Sequence, residues 1–311
     1  MSRRATGFPE GVLLVDKAAG ETSFDVVRMV RRVTGVRKVG HAGTLDPFST
    51  GLVILMLGRG TKLSQFLMSG KKRYRAIFRL GIETDTYDPE GRVVEEKPVP
   101  DMTPEFLRER LRAFVGEIEQ VPPAFSAVHV EGKRAYKLAR KGLDVQLERR
   151  KVVVDEIRLL SVDLPDVTVE VLCSPGTYLR SLAFDLGRML EIGAHVHALR
   201  RLSSGVFHVE DAVDSMHFRR ASHPTWLRER VIPLAQALPD AKEVRIPGSL
   251  AERIRNGYTP SWEEILPGAL DTRTGGGLVR LLCDGELIAV MEQAAGLQGG
   301  GEKTKHMRVF H

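Results

Sequence analysis

Apolar residues recur along this chain in two periods, and the switches between them lay out its elements. Residues 12–15 are continuously apolar between polar flanks, which predicts a short buried strand. Phe24, Val27, Val30 and Val33 repeat at helical spacing, with Arg28, Arg31 and Arg32 off that stripe. Ser23 is placed to cap this helix and Gly35 to end it. Residues 52–57 form an uninterrupted apolar run, read as a second buried strand, and residues 71–80 predict a third with basic flanks. Residues 85–91 are rich in turn formers. Thr103 and Pro104 open a helix expected to run through Val115 and to close at Gly116. Residues 167–173 alternate apolar with polar, as a half-buried strand does. Beyond the Pro175-Gly176 turn, Leu182, Ala183, Leu186 and Leu190 share one side of a helix starting near Leu179.

The pattern shifts near residues 238–240. A short helix over residues 250–256 is stopped by Gly257, and residues 278–282 and 287–291 read as a hairpin turned by Asp284-Gly285. A last strand is expected over residues 307–310. These signals predict a first domain of residues 1–239 and a small β-rich domain of residues 240–311. The fold class is α+β, with a mixed, mostly antiparallel sheet and flanking helices in the first domain. Residues 120–151 interrupt that domain with Lys133, Arg134, Lys137, Arg140, Lys141, Arg149, Arg150 and Lys151 against few acids. Tyr136, Leu138 and Leu143 offer little apolar surface there, so this is read as an exposed, partly helical basic insertion.

Composition sharpens the picture in two respects. The 311 residues carry a net charge of +6, which favours an anionic partner such as nucleic acid. The two cysteines, Cys173 and Cys283, lie far apart in strand-like contexts, which argues against a disulfide framework or a zinc site and for core thiols. No apolar run reaches membrane-spanning length, and the short basic N-terminus lacks the apolar core of a signal peptide, so a cytoplasmic protein is expected. A monomer is expected too, with no coiled-coil repeat and no broad exposed apolar stripe.

Candidate chemistry centres on Asp46. It is the only carboxylate between Asp25 and Glu83, a stretch that also holds Arg28, Arg31, Arg32, Arg37, Lys38, Arg59, Lys62, Lys71, Lys72, Arg73, Arg75 and Arg79. Surrounding cations are expected to keep it ionised, fit to act as nucleophile or base on an anionic substrate. Pro47 disfavours helical geometry at Asp46, and glycines at 40, 43 and 51 let the loop turn and approach a ligand. The alternative on residue types alone is a Gly-Asp-Pro turn with a structural ion pair. Arg180 is the second unusual residue. It falls in the first turn of its helix, where the macrodipole disfavours a cation, so a nearby anion is expected to compensate.

Three segments together resemble one family. Residues 40–51, Gly-His-Ala-Gly-Thr-Leu-Asp-Pro-Phe-Ser-Thr-Gly, resemble the catalytic-aspartate motif of the TruB-type pseudouridine synthases. Lys72-Arg-Tyr-Arg75 resembles their tyrosine strand, and Gly176-Thr-Tyr-Leu-Arg-Ser181 with Asp185-Leu-Gly187 resembles their tyrosine–arginine helix start. Asp16-Lys17 with Gly20 and Thr22-Ser23, the stretch 120–142, and Gly193-Ala-His195 through Leu199-Arg-Arg-Leu202 match in the same order, so the resemblance spans essentially the whole chain. It implies isomerisation of uridine to pseudouridine in the T loop of tRNA, at the position conventionally numbered 55, without metal, organic cofactor or obligatory protein partner. Asp46 would be the essential aspartate, attacking C1′, attacking C6 or acting as a base. Tyr74 would stack on the flipped base, Arg180 would pair with Asp46, and Tyr178 and Leu199 would line the pocket. His41 would occupy the space the flipped nucleotide leaves, and Lys17 would contact substrate. The basic insertion, with Lys133, Arg134, Lys137, Arg140 and Lys141, matches the RNA-gripping thumb of the family. Residues 240–311 resemble a PUA domain, a pseudo-barrel expected to contact the acceptor stem.

Overall fold

The computed structural model of the chain describes residues 7–125, 129–130, 133–134, 147–220, 225–265, 277–293 and 304–311. In chain order the strands up to the pattern shift are β1 Gly11–Lys17, β2 Val39–His41, β3 Thr50–Leu57, β4 Lys72–Leu80, β5 Ile82–Thr84, β6 Val93–Glu96, β7 Gly116–Gln120, β8 His129–Val130, β9 Lys133–Arg134, β10 Arg150–Asp163, β11 Asp166–Cys173, β12 Ala194–Ser204, β13 Phe207–His208, β14 Val213–Asp214 and β15 Ile232–Pro233. The large sheet runs β14-β1-β3-β12-β4-β11-β10-β7, with β2 beside β3, β13 beside β12 and β15 beside β1. Its pairs are antiparallel except β1–β14 and β3–β12, so the sheet is mixed. The apolar run in β3 is buried throughout because it lies near the middle of this sheet with core on both faces.

One register line organises the molecule. Lys17 of β1 stands opposite Gly51 of β3, Gly51 opposite Arg201 of β12, Arg201 opposite Tyr74 of β4, and Tyr74 opposite Val171 of β11. This row crosses five strands at the start of β3, where the Asp46 loop enters the sheet. Gly51 is required there. Its φ is +105°, and a Cβ would lie 2.3 Å from the Arg201 carbonyl oxygen, so the parallel β3–β12 contact excludes a side chain.

Helices match the sequence reading with three corrections, the first being that Phe24, expected on the apolar stripe of its helix, is exposed while Val26 is buried. The helix Ser23–Thr34 is capped by Thr22, not Ser23. Thr22 Oγ1 accepts from Asp25 N at 3.0 Å and Asp25 Oδ2 accepts from Thr22 N at 2.9 Å, a reciprocal capping box. The helix opened by Thr103 and Pro104 spans Pro104–Arg112 and stops short of Val115. Its last turn tightens into i→i−3 bonds, Phe114 N to Leu111 O and Val115 N to Arg112 O, before Gly116 (φ +109°) starts β7. The helix Leu179–Met189 buries Leu179, Leu182, Ala183 and Leu186 against Phe78, Val169 and Val196.

The basic insertion leaves and rejoins the sheet at one register pair, since Gln120 at the end of β7 stands opposite Arg150 at the start of β10. Within it, the backbones of β8 and β9 pair antiparallel, and the expected helical part lies outside the described residues. Lys137, Arg140 and Lys141 lie outside the described residues.

After the pattern shift come β16 Lys242–Arg245, β17 Leu278–Cys283, β18 Glu286–Gln293 and β19 Thr304–Val309, which form a separate sheet in the order β16-β17-β18-β19. The helix Gly248–Arg255 supplies Leu250 and Ile254 to a cluster with Trp262, Leu281 and Ile288. The Asp284-Gly285 turn is present, with both residues at positive φ. This unit also shares core with the large sheet. Leu282, Leu287, Val290 and Phe310 pack in one cluster with Val12, Leu14, Ile54 and Phe66, and Lys62 Nζ donates to Val309 O at 2.7 Å. Among the described helices none is long and apolar enough to cross a membrane. Cys173 is buried as expected, whereas Cys283 is only partly so.

Candidate active site

The loop between β2 and β3 carries Asp46, and four side chains from elsewhere pin its backbone or its carboxylate. Ser23, released from capping, accepts from Leu45 N at 2.9 Å and donates to Leu45 O at 3.3 Å. Lys17 Nζ donates to Pro47 O at 3.2 Å as well as to Glu21 O and Ala18 O. Arg201 donates from Nη2 to Gly43 O at 3.1 Å, from Nη1 to Thr44 O at 3.5 Å and from Nε to Leu52 O at 2.6 Å. Gly20 N adds a bond to Pro47 O at 2.8 Å. Gly43 and Gly51 take positive φ as the sequence required, but Gly40 sits in β2 and does not. The fourth side chain, Arg180, holds the carboxylate itself.

Arg180 is buried at the first turn of its helix, and its guanidinium meets oxygens from three loops. Nε lies 3.0 Å from Asp46 Oδ2, an ion pair rather than an aligned hydrogen bond, and Nη2 donates to Asp46 Oδ1 at 3.4 Å. Nη2 also donates to Phe125 O at 2.9 Å. Nη1 donates to Thr86 O and to Asp88 Oδ2, each at 3.1 Å. Two carboxylates therefore compensate the cation that the helix dipole disfavours. Nothing in the local sequence singles out Asp88. It is buried, and it reaches Arg180 through a loop in which Tyr87 takes φ 59° and stacks on Phe184 at 4.2 Å.

The electrostatics differ from the expectation drawn from local sequence. Half of the cations flanking Asp46 in the chain are ion-paired elsewhere: Arg28 with Asp25, Arg59 with Glu10, Lys71 with Asp155, Arg73 with Glu156 and Glu170, Arg75 with Glu170, Arg79 with Asp166. Burial pushes the Asp46 carboxyl above its ordinary value, Arg180 and Lys17 pull it back, and Asp88 pushes it further up. About a third of the side chain nonetheless remains exposed, so one side of the carboxylate is open.

Lys17 is the clearest correction among the site residues. Expected to contact substrate, it has no exposed surface, and its ammonium sits among three carbonyls. Burial lowers its pKa to about 8 against the opposing pull of Glu21 and Asp46. It braces the loop from beneath. Tyr74 lies half-buried in β4 between two core clusters, and burial raises its phenol pKa while the nearby Arg201 opposes the rise. Leu199 is buried in β12 opposite Ala76, and Tyr178 immediately precedes the Leu179–Met189 helix. His41 ends β2 opposite Leu55. Lys133 and Arg134 stand in β9. Among the described residues no group of His, Cys, Asp and Glu is disposed to hold a metal ion.

Asp88 and Arg201 are the site-forming residues that sequence reasoning missed. Arg201 is fully buried with no carboxylate partner among the described ion pairs, and nothing in an Arg-Arg dipeptide tells which member turns inward.

Comparison with known proteins agrees with this architecture. Residues 31–179 match the model of the TruB family pseudouridylate synthase N-terminal domain, and residues 180–239 that of the tRNA pseudouridylate synthase B C-terminal domain. A tRNA pseudouridine synthase B of Syntrophus aciditrophicus is 40% identical over 309 residues, covering 97% of this chain and 99% of the relative. One from Geobacter sulfurreducens is 39% identical, covering 97% of this chain and all of the relative. Among solved structures, a chain of a Cbf5-Nop10-Gar1 complex shares the fold, with a TM-score of 0.71 at 24% identity over 100% of this chain and 90% of that one. With relatives this similar along almost its entire length, the chain belongs to the TruB family of pseudouridylate synthases.

Proposed function

We propose that this protein isomerises uridine to pseudouridine in the T loop of tRNA, at the position conventionally numbered 55. The relatives named tRNA pseudouridine synthase B support tRNA as the substrate class. The observation that carries the site assignment is the Asp46–Arg180 pair, buried on the arginine side and open on the aspartate side.

In the reaction the N1–C1′ bond breaks, the uracil turns, a C5–C1′ bond forms, C5 gives up its proton and N1 gains one. Product and substrate are isomers, so the balance needs no oxidant, reductant or second substrate. The target base has to leave its stack first, at a cost of a few kcal/mol. Stacking on Tyr74, worth about 1–3 kcal/mol for an aromatic partner, offsets part of it. His41 fills the space left in the RNA, and Tyr178 and Leu199 line the pocket. Asp46 acts ionised, as a nucleophile at C1′ or C6 or as a base, and Arg180 supports that state against the effect of burial.

Binding is assigned to other surfaces. The insertion at 120–151 acts as a thumb whose Lys133, Arg134, Lys137, Arg140 and Lys141 meet phosphates. Residues 240–311 act as a PUA-like module on the acceptor stem. The protein works in the cytoplasm as a monomer, without metal, cofactor or partner protein. Incubating the purified chain alone with unmodified tRNA and quantifying pseudouridine at each uridine tests this reading. Conversion at the T-loop uridine, abolished in Asp46→Asn, is the expected result.

A further inference from the structure

The Leu179–Met189 helix has no side-chain cap of its own. Its first peptide is held from outside. Tyr178 N donates to Gln120 Oε1 at 3.0 Å, and Gln120 Nε2 donates to Tyr178 O at 3.2 Å. Gln120 is buried at the end of β7, where the insertion begins. The segment that follows is tied to the same helix twice more. Ser181 Oγ donates to Val121 O at 2.7 Å, and Arg180 Nη2 donates to Phe125 O at 2.9 Å.

These contacts change what the insertion's first residues are. Arginine carries five N–H donors in a planar fork. The oxygens around Arg180 are the two of Asp46, one of Asp88, and the carbonyls of Thr86 and Phe125. Four of those five come from the loops at 46 and 86–88. The fifth comes from the root of the insertion, and it shares Nη2 with Asp46. With Nη1 and Nη2 each donating to two acceptors, the fork cannot turn without losing one, so the root helps fix the angle at which Arg180 meets the carboxylate. An amide that both accepts from and donates to one residue's backbone holds that backbone at a set distance, and here the residue is two before Arg180.

Resting on the Asp46–Arg180 reading above, we propose that residues 121–125 are a wall of the catalytic site, and that Gln120 is a positioning residue which orients Arg180 toward Asp46. Gln120 hydrogen-bonds to the Tyr178 backbone and not to Asp46 or the Arg180 guanidinium. It acts through the Tyr178 backbone and through the placement of the Phe125 carbonyl. The insertion would thus serve two separable purposes, its basic residues for affinity and its root for chemistry.

The test is Gln120→Met, which removes both hydrogen bonds at nearly constant volume, beside Ser181→Ala, which removes only the tie to Val121 O. Single-turnover conversion of tRNA at saturating enzyme reads chemistry, and tRNA affinity is measured separately. Gln120→Met is expected to slow single turnover roughly tenfold to a hundredfold, the scale of a small misplacement in a catalytic group. Affinity should stay within about twofold, because the phosphate contacts are untouched. Ser181→Ala should slow the same step in the same direction by less, and it reads the tie independently should Gln120→Met fold poorly. A wild-type single-turnover rate in both variants would overturn the proposal. So would a rate loss that disappears when enzyme and tRNA are raised to saturation, since that places the root in binding alone. Wild type and Asp46→Asn, run alongside, test the underlying reading. If wild type converts no uridine, that reading fails; if it converts and the variants match it, only this inference does.

Discussion

Replacing Arg180 with lysine is the most direct probe of the site, because it keeps the charge and changes only the geometry. The guanidinium donates to four oxygens and ion-pairs with a fifth, and an ammonium offers three donors, so at least one acceptor loses its partner. A buried acceptor left unpaired costs about 1–3 kcal/mol, which sets the least the substitution costs. That cost is divided between stability and the ionisation of Asp46. Burial and Asp88 already push the Asp46 carboxyl up, and Arg180 is the main influence holding it down. Weakening that hold raises it further, so the carboxyl takes up its proton at higher pH and the ionised fraction at any acidic pH falls. Single-turnover rates at saturating enzyme, measured from about pH 5 to 8, should therefore show an acidic limb displaced toward higher pH, each unit corresponding to about 1.4 kcal/mol. The plateau should also drop by about a hundredfold from misalignment. A thermal melt checks that the variant is folded. A folded Arg180→Lys enzyme with the wild-type plateau and the wild-type acidic limb would refute the argument that five-fold coordination of this side chain matters.

Other expectations follow from the same structure. Asp46→Asn should abolish conversion in the single-turnover assay while tRNA affinity holds or rises, since repulsion between carboxylate and phosphate is removed; weakened binding would show that Asp46 grips RNA. Changing Lys133, Arg134, Lys137, Arg140 and Lys141 to alanine should flatten the log–log dependence of tRNA binding on salt, by about 0.7–0.9 for each phosphate no longer neutralised; an unchanged slope means these residues do not meet RNA. Burial lowers Lys17 from 10.5 to about 8, so between those values the unfolded chain binds more protons and stability rises with pH. Denaturant titrations at about pH 8 and pH 10 should show wild type gaining about 2 kcal/mol relative to Lys17→Met. Deleting residues from Asp240 onward strips Leu282, Leu287, Val290 and Phe310 from a shared cluster, at about 1.5–3 kcal/mol each. The total of about 6–12 kcal/mol rivals the whole stability of a typical domain, so the truncated chain should melt far below the intact one rather than survive as a catalytic body with weaker RNA binding.

What the sequence disclosed and what it hid have different physical origins. Asp46 was legible because an isolated acid between glycines and a proline is a local peculiarity. Arg180 was legible because a cation at a helix start violates a local electrostatic preference, and its compensation by anions is what the structure contains. Tyr74 and the strand that carries it were legible from period and motif. Asp88 sits in a turn-rich loop full of acids, and only the tertiary fold brings one of them to Arg180. The expectation that cations nearby in sequence keep Asp46 charged failed because half of those cations find acid partners of their own. Lys17 was expected to contact substrate because a buried ammonium satisfied by carbonyls leaves no trace in composition. The strands β10 and β12 escaped notice because bulges break their alternation and because β12 carries buried arginine where an apolar residue would signal core. The boundary near residue 240 followed a real change of pattern, but pattern carries no record of a core shared across it.

The row that joins Lys17, Gly51, Arg201 and Tyr74 across neighbouring strands means that the site keeps count of residues. Each member comes from a different stretch of chain, and each is brought into line by strand register alone. Removing or adding one residue in β12 would send Arg201 to the opposite face and put Arg200 or Leu202 in its place against Gly51. The Asp46 loop would then lose the grip on Gly43 and Thr44 although every functional side chain was still present in the chain. Tolerance to change in this protein should therefore be lopsided: a scan of single-residue insertions and deletions would find β1, β3, β4 and β12 far less forgiving than a scan of substitutions suggests.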